Sequence, residues 1–229
     1  MRNANNKIIL IEDAAHALGA KYENKPIGSI SDFTTFSFQA IKHFTTGDGG
    51  ILTIKNKNLA EKAKRIRWFG IDRKKKQQGI WKNDVYEVGY KYQMTDIAAT
   101  MGCDSLNEFS KIINHRKKIY NTYLSELSKN KKIKCVHEND KKKEHGAWLF
   151  TILVENKDYL QKKLRDHFIE TNQVHFRNDK YSIFKKFVKG KKFPNMDYLE
   201  NRYLVLPLHH KVSVKDAKYI CRLINKYAK

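Results

Sequence analysis

A chain of 229 residues, 41% hydrophobic, 12% aromatic and 31% charged, can bury a real core and has room for one large domain or two small ones. Three prolines argue against linker-rich disorder, and no apolar run is long enough to span a bilayer. The net charge of +22 raises a polyanion-binding reading, but the basic residues are spread along the chain with no nucleic-acid signature, so they read as solvated surface. The runs Arg73-Lys74-Lys75-Lys76 and Lys141-Lys142-Lys143 are expected in solvated loops. Cys103, Cys135 and Cys221 are odd in number and form no CxxC, which argues against a disulfide framework and fits reduced thiols. The start, Met1-Arg2-Asn3-Ala4-Asn5-Asn6-Lys7, does not have the form of a signal peptide, so the expected location is cytoplasmic, without a membrane partner.

Lys7-Ile8-Ile9-Leu10-Ile11 is a continuous apolar run, the pattern of a strand buried on both faces of a parallel sheet. Glu12 and Asp13 fall at its carboxyl end, where such sheets place their chemistry. The small residues of 14–20 suit close packing against a ligand or helix, and Lys25-Pro26-Ile27-Gly28 reads as a turn. Residues 33–38 read as a strand that delivers Lys42 just beyond its end, and residues 50–54 as another. Asn58 is placed to cap a helix over 59–68. Residues 71–94 are polar and irregular, with Gly79, Asn83 and Asp84 as turn formers.

Helical spacing then runs from Asp96 to about Leu127 through Ile97, Met101, Leu106, Phe109, Ile112 and Ile113. Beyond it the pattern predicts a strand over 148–154, a helix over 158–170 and a short strand over 174–176. Phe193-Pro194-Asn195 opens a helix that stops before Leu204, and a last helix runs over 214–227 behind Ser213. Strands alternating with helices argue an α/β fold, with a smaller mixed domain behind. The long helical region marks the boundary, giving domains at 1–105 and 106–229.

The chemistry centres on Phe36-Ser37-Phe38 and Lys42-His43-Phe44-Thr45-Thr46-Gly47-Asp48-Gly49-Gly50. A lysine among apolar and aromatic neighbours can have its pKa lowered until its amine is a nucleophile. A P-loop is excluded, because the lysine precedes the glycines. Alone, Lys42 would be a surface lysine; with Asp13 as an acid partner and Ser37 as an anion donor it meets the needs of a pyridoxal phosphate site. His16 lies three residues after Asp13, where it could meet the cofactor ring or simply pack. No His, Cys or carboxylate group shows metal-ligand spacing, and His209-His210 is expected in a loop.

These blocks resemble the DegT/DnrJ/EryC1/StrS family of pyridoxal-phosphate-dependent sugar-nucleotide aminotransferases. The resemblance is carried by Ile11-Glu12-Asp13-Ala14-Ala15-His16-Ala17-Leu18-Gly19-Ala20 and by the Lys42 block. Further echoes are Arg67-Trp68-Phe69-Gly70, Gly89-Tyr90-Lys91-Tyr92-Gln93 and Leu206-Pro207-Leu208-His209. It implies a fold-type I transferase, here the C-terminal half of the large domain plus a small α+β domain. It also implies a homodimer with sites at the subunit interface, glutamate as amino donor and a keto group on a nucleotide-linked deoxysugar as acceptor. By the same resemblance Lys42 would hold pyridoxal 5'-phosphate and move protons, Asp13 would pair with the ring nitrogen and His16 would meet the ring oxygen. Ser37 would bind the phosphate. Lys91 stands where many relatives carry an asparagine that reaches the neighbouring subunit's phosphate, and Gln93 stands in place of an arginine. His43, His175 and Arg177 are candidate substrate contacts, with structural roles equally open.

The resemblance also implies a longer N-terminal part, with a phosphate loop and an aromatic that stacks on the cofactor. The expectation is therefore that a second polypeptide supplies that part, that the chain is a fragment or inactive remnant, or that its start lies upstream.

Overall fold

The computed structural model describes residues 8–79, 84–137 and 140–229. The chain divides into two compact units, one of Met1–Ser110 with Lys142–Gly146, the other of Lys111–Lys141 with Ala147–Lys229. The first carries Lys42 and is called the site-bearing unit below; the second is the C-terminal unit.

The site-bearing unit is built on a three-stranded sheet of order β1-β4-β5. Strand β1 (Ile11–Asp13) runs parallel to β4 (Phe33–Ser37) in the register Ile11↔Phe33 and Asp13↔Thr35. Strand β5 (Gly50–Ile54) lies antiparallel on the other side of β4, from Phe33↔Ile54 to Ser37↔Gly50. The β-branched and aromatic residues of β4 make it the central strand, with Thr34 and Phe36 buried. The 7–11 run departs from expectation. The strand starts only at Ile11, and Ile8, Ile9, Leu10 and Ile11 are exposed, because within the described residues no element covers them.

Strands β2 (Lys21–Tyr22) and β3 (Lys25–Pro26) form a hairpin whose turn residues Glu23 and Asn24 take left-handed φ values of 48° and 62°. Strand β7 (Lys143–Glu144) adds to its other side, so Lys143 pairs within a strand and is not in a solvated loop. Helix α1 (Lys57–Ile66) is capped by Asn56, not Asn58: the Asn56 side chain accepts from Leu59 N–H. The helix begins at Lys57, so Asn58 stands inside its first turn. The basic run at 73–76 also departs from the loop reading, forming helix α2 (Arg73–Gln77) because Asp72 caps it through Lys74 N–H. Of the expected turn formers, Gly79 has a φ of 82°, and Asn83 lies outside the described residues.

Helix α3 (Asp96–Leu127) gives its first part to one unit and its remainder to the other. In the C-terminal unit an antiparallel sheet of order β6-β8-β9 joins β6 (Lys134–Cys135), β8 (Phe150–Leu153) and β9 (Tyr203–Leu206). Helices α4 (Lys157–Asp166) and α7 (Val214–Tyr227) complete a core containing Tyr123, Leu127, Phe150, Ile152, Leu204 and Ile224. Helix α7 opens on a capping box in which Ser213 and Asp216 satisfy each other's backbone N–H groups. Between β8 and β9 also lie α5 (Lys185–Val188) and α6 (Pro194–Glu200). No strand forms over 174–176; the chain touches β9 earlier, as an isolated Asn172↔Val205 bridge. Helix α4 stops at Asp166, short of residue 170, and Phe168 follows with a φ of 59°. Among the described residues no helix is long and apolar enough to cross a membrane.

Candidate active site

Residues paired across parallel strands share a face, and so do residues two apart on one strand. The register Asp13↔Thr35 therefore puts Asp13, Thr35 and Ser37 on one face at the carboxyl ends of β1 and β4. Asp13 is fixed by its own backbone, Oδ1 accepting from Ala15 N–H at 3.1 Å, which leaves the rest of the carboxylate exposed. Its neighbour Glu12 points to the opposite face. There it accepts from the Ser31 and Thr34 hydroxyls and pins β1 to β4.

Lys42 stands in a loop whose ends are tied at Phe38. Phe38 N–H donates to Gly49 O at 2.8 Å, and Phe38 O accepts from Thr46 N–H and from the Thr45 hydroxyl. The far side is folded by hydroxyls as well: Thr45 Oγ1 accepts from Gly47 N–H, and Thr46 Oγ1 donates to Asp48 O. Ser105 on α3 donates to Thr45 O at 3.0 Å and holds the loop against the helix. Gly50 permits the closure, since a Cβ there would meet Phe36 O at 2.6 Å.

Lys42 itself sits in a turn, its N–H bonded to Gln39 O, with its side chain partly buried. Burial draws its ammonium below the usual lysine range, and the Asp13 carboxylate opposes that shift. The two groups are thus within electrostatic reach, one supplying a partly desolvated amine and the other a negative charge. Ser37 stands one strand over from Asp13, and its Oγ accepts weakly from Gln39 N–H at 3.4 Å.

The remaining candidates separate. His43 is buried, with Nε2 2.9 Å from Leu18 O and its ring stacked on Phe109 at 5.9 Å between centroids. These contacts tie the residue after Lys42 to Leu18 and Phe109. His16 is exposed in the turn after Ala14. Lys91 is exposed in a segment bridged to Trp68, where Tyr90 and Tyr92 N–H groups bond to Ile66 O and Arg67 O beyond α1. His175 and Arg177 line a cleft of about 810 Å³ in the C-terminal unit. His175 N–H donates to the Tyr203 hydroxyl. Arg177, 6% exposed, is held by Asp179, Asp197 and Glu200, which engage its guanidinium with the protein's own carboxylates. Among the described residues no cluster of three or more His, Cys, Asp or Glu side chains could hold a metal.

The chain matches the DegT/DnrJ/EryC1/StrS aminotransferase family over residues 3–225. The chain belongs to that family. A UDP-4-amino-4,6-dideoxy-N-acetyl-beta-L-altrosamine transaminase of Campylobacter jejuni is 33% identical over 218 residues, covering 93% of this chain and 57% of that protein. The GDP-perosamine synthase of Escherichia coli O157:H7 is 30% identical, covering 96% of this chain and 58% of that one. Among solved structures, the PLP form of Spr1654 from Streptococcus pneumoniae superposes with a TM-score of 0.82 at 28% identity, covering 97% of this chain and 58% of that one. The fold is thus fold-type I, and the family uses pyridoxal phosphate. The chain spans a little under three-fifths of the length of these relatives.

The residues present fit that cofactor. A partly desolvated amine, a carboxylate coupled to it and a strand-end hydroxyl beside a glycine that no larger residue could replace are the groups it needs. The sequence pattern did not reveal the work of Thr45, Thr46 and Ser105. The Thr-Thr-Gly turn was a signal for the first two; the Ser105 bond to Thr45 spans sixty residues and has no local signature.

Proposed function

We propose that this chain carries the lysine part of a pyridoxal-phosphate-dependent transaminase that acts on a nucleotide-linked keto-deoxysugar, with glutamate as amino donor, in amino-sugar biosynthesis. The observation that carries this reading is the placement of Lys42 in the closed loop beyond β4, where its partly buried amine comes within electrostatic reach of the Asp13 carboxylate at the end of β1. The named activities of the Campylobacter and Escherichia relatives, one on a UDP sugar and one on a GDP sugar, support a nucleoside-diphosphate sugar as substrate.

In this reading Lys42 Nζ, neutral in a larger fraction than an exposed lysine, attaches the cofactor and afterwards holds and moves the proton of the reacting carbon. Asp13 holds a positive charge on the cofactor's ring nitrogen, Ser37 and Lys91 hold its phosphate, and His16 meets its ring oxygen. His43 keeps the Lys42 loop in place. The cofactor, when bound, supplies the electron sink that lets that proton leave. The active form is a dimer, as the resemblance implies. A second reading, one subunit of a split enzyme or an inactive remnant, is supported by the chain's 57% share of the Campylobacter relative's length.

Titrating the purified chain with pyridoxal phosphate, reducing with borohydride and mapping the labelled peptide tests the assignment. The label is expected on Lys42 and absent in Lys42→Ala, with Asp13→Asn weakening cofactor binding about tenfold or more. A label spread over surface lysines, or none on Lys42, would sink it.

A further inference from the structure

The carboxylates of residues 179–200 are already engaged within the C-terminal unit. Asp179, Asp197 and Glu200 close on the Arg177 guanidinium, and Glu200 also takes Lys180. From Lys180 to Met196 the chain then carries six lysines and no Asp or Glu. Lys185, Lys186, Lys189, Lys191 and Lys192 are exposed, and none of these five meets a carboxylate among the described residues. A strong local positive charge is left without a counter-charge of its own.

The same stretch also exposes apolar side chains. Ile183 is 73% exposed and Phe187 59%, with Tyr181 and Phe184 half-exposed beside them. A 3-10 turn over Ser182–Phe184 leads into α5, so Ile183 and Phe187, four residues apart, are neighbours on one helical surface. Lys186 Nζ lies 4.9 Å from the centre of the Phe187 ring, so a cation rides on the exposed ring. This exposure does not reflect a shortage of core, because α4 and α7 of the same unit bury Leu160, Leu164, Ile220 and Ile224. Single exposed apolar residues are ordinary; a run of them among uncompensated lysines marks an interaction surface.

An anionic bilayer meets both halves of this pattern. Its headgroups attract lysine clusters, each lysine near the surface being worth about fivefold in binding, and its acyl boundary takes shallowly inserted Ile and Phe side chains. A nucleic acid would use the lysines and stack on the rings, but it offers no place for Ile183. That no helix among the described residues could cross a membrane bears on spanning a bilayer, not on lying against one.

We propose that residues 180–193 form a docking surface for anionic phospholipid membranes. Lys185, Lys186 and Lys189 meet the headgroups, and Ile183 and Phe187 enter the interface between headgroups and acyl chains. Such a contact is peripheral, and it goes against the expectation from the sequence of no membrane partner.

The test uses the 229-residue chain and vesicles of phosphatidylcholine, with or without about a third of phosphatidylserine. Cosedimentation at about 0.1 M salt is expected to be about tenfold or more stronger with phosphatidylserine, and to be lost at about 1 M, where screening shortens to about 3 Å. Phe187→Trp should add an emission, over that of the parent chain, that shifts to the blue on these vesicles and is quenched by brominated acyl chains. Ile183→Ser with Phe187→Ser, and separately Lys185→Glu with Lys186→Glu, should each weaken vesicle binding about tenfold or more. Lys131→Glu with Lys132→Glu, the same charge change at another exposed pair, should cost about threefold at most. All six sites are exposed, so each variant should keep the urea midpoint of the parent chain.

Equal binding to both kinds of vesicle, an unshifted indole, or an equal loss from the 131–132 pair would overturn the proposal, the last by reducing it to the general charge of +22. So would retention by single-stranded DNA without vesicle binding, which would make the patch a nucleic-acid surface. None of these readouts depends on cofactor or turnover, so a chain inert as a transaminase still reports whether the patch docks on membranes.

Discussion

The two units of this chain are held together by different means. The C-terminal unit has a core of 22 buried residues, drawn from one sheet and the helices packed on it. The described residues of the site-bearing unit gather only Ala14, Phe36 and Phe38 into a buried cluster, with partly exposed neighbours such as Leu18 and Phe44. In place of side-chain volume, that unit relies on hydroxyl-to-backbone bonds and on places where backbone meets backbone. Gly89 is one: a Cβ there would strike the backbone of Gly70. The contrast shows that a site can be positioned accurately by loop closure while its surroundings bury little.

The comparison can be broken most forcefully by substitution. Phe150→Ala, in the C-terminal core at 1% exposure, should cost about 3–5 kcal/mol by cavity formation, read from urea unfolding. In the site-bearing unit Gly89→Ala should cost about 1–3 kcal/mol by forcing two backbone segments apart. It should also speed amide exchange at Tyr90 and Tyr92, which bond to the end of α1. A silent Gly89→Ala would contradict the account of that unit.

Alkaline pH should sharpen the contrast. Burial pushes the Cys135 thiol up to about 11, and the Cys221 thiol and Tyr120 phenol up to about 12. Each keeps its proton in the folded unit after the unfolded chain has released it, beginning near the ordinary thiol value of 9.0. The unfolded state then binds fewer protons, so this stability is whole below about pH 9 and is lost as pH rises toward the folded values. Arg116 acts in the opposite direction. Buried and donating to Ala147 O and Trp148 O, it is drawn down to about 10, and relief of that cost begins only there.

Between about pH 9 and 10 the loss therefore acts without that compensation. The urea midpoint reported by Trp148, with Trp68 and Trp81 replaced by phenylalanine, should fall across that interval. Lys42 gives its unit the reverse slope. Its folded pKa lies below the ordinary 10.5, so the unfolded state binds more protons and the cost of burying the amine fades as pH rises toward that value. Protection of the Phe38 to Gly49 closure is expected not to fall with the Trp148 signal.

The smallest effect concerns a helix end. Ile169 N–H donates to Leu164 O and Phe168 N–H to Arg165 O, the double closure that ends a helix on a left-handed residue. That residue is Phe168, 99% exposed at a φ of 59°. Phe168→Gly should stabilise the C-terminal unit by about 0.5–1 kcal/mol, the left-handed penalty less the extra entropy of glycine, seen as a raised urea midpoint. A loss of stability would mean that the exposed ring makes contacts that offset its strain.

Much was legible from the sequence because its signals are local. The helical spacing from Asp96 to Leu127, the Ser213 cap and the strand over 50–54 each rest on a few neighbouring residues, and the structure has them as α3, α7 and β5. The cap of α1 fell on Asn56 and not on the expected Asn58, because the helix begins at Lys57. The expected strand over 174–176 gave way to a tertiary demand. The backbone of β9 was met at Asn172, and Arg177 was drawn to Asp179 two residues on and to Asp197 and Glu200 of α6.

By itself, the sequence determined which groups stand as candidates for this protein's chemistry: Asp13 at a strand end, Ser37 at the next, and Lys42 before a glycine-rich turn. Those follow from residue type and short spacing, which the chain carries wherever it folds. Tertiary structure decided what the groups can do. Only the parallel register of β1 on β4 sets Asp13 and Ser37 on one face, and only the closure at Phe38 half-buries Lys42 within reach of Asp13's charge. The same packing buried His43, which the sequence left open as a substrate contact, against Leu18 O and Phe109. Burial and electrostatic reach depend on what lies across space, and no spacing along the chain encodes that.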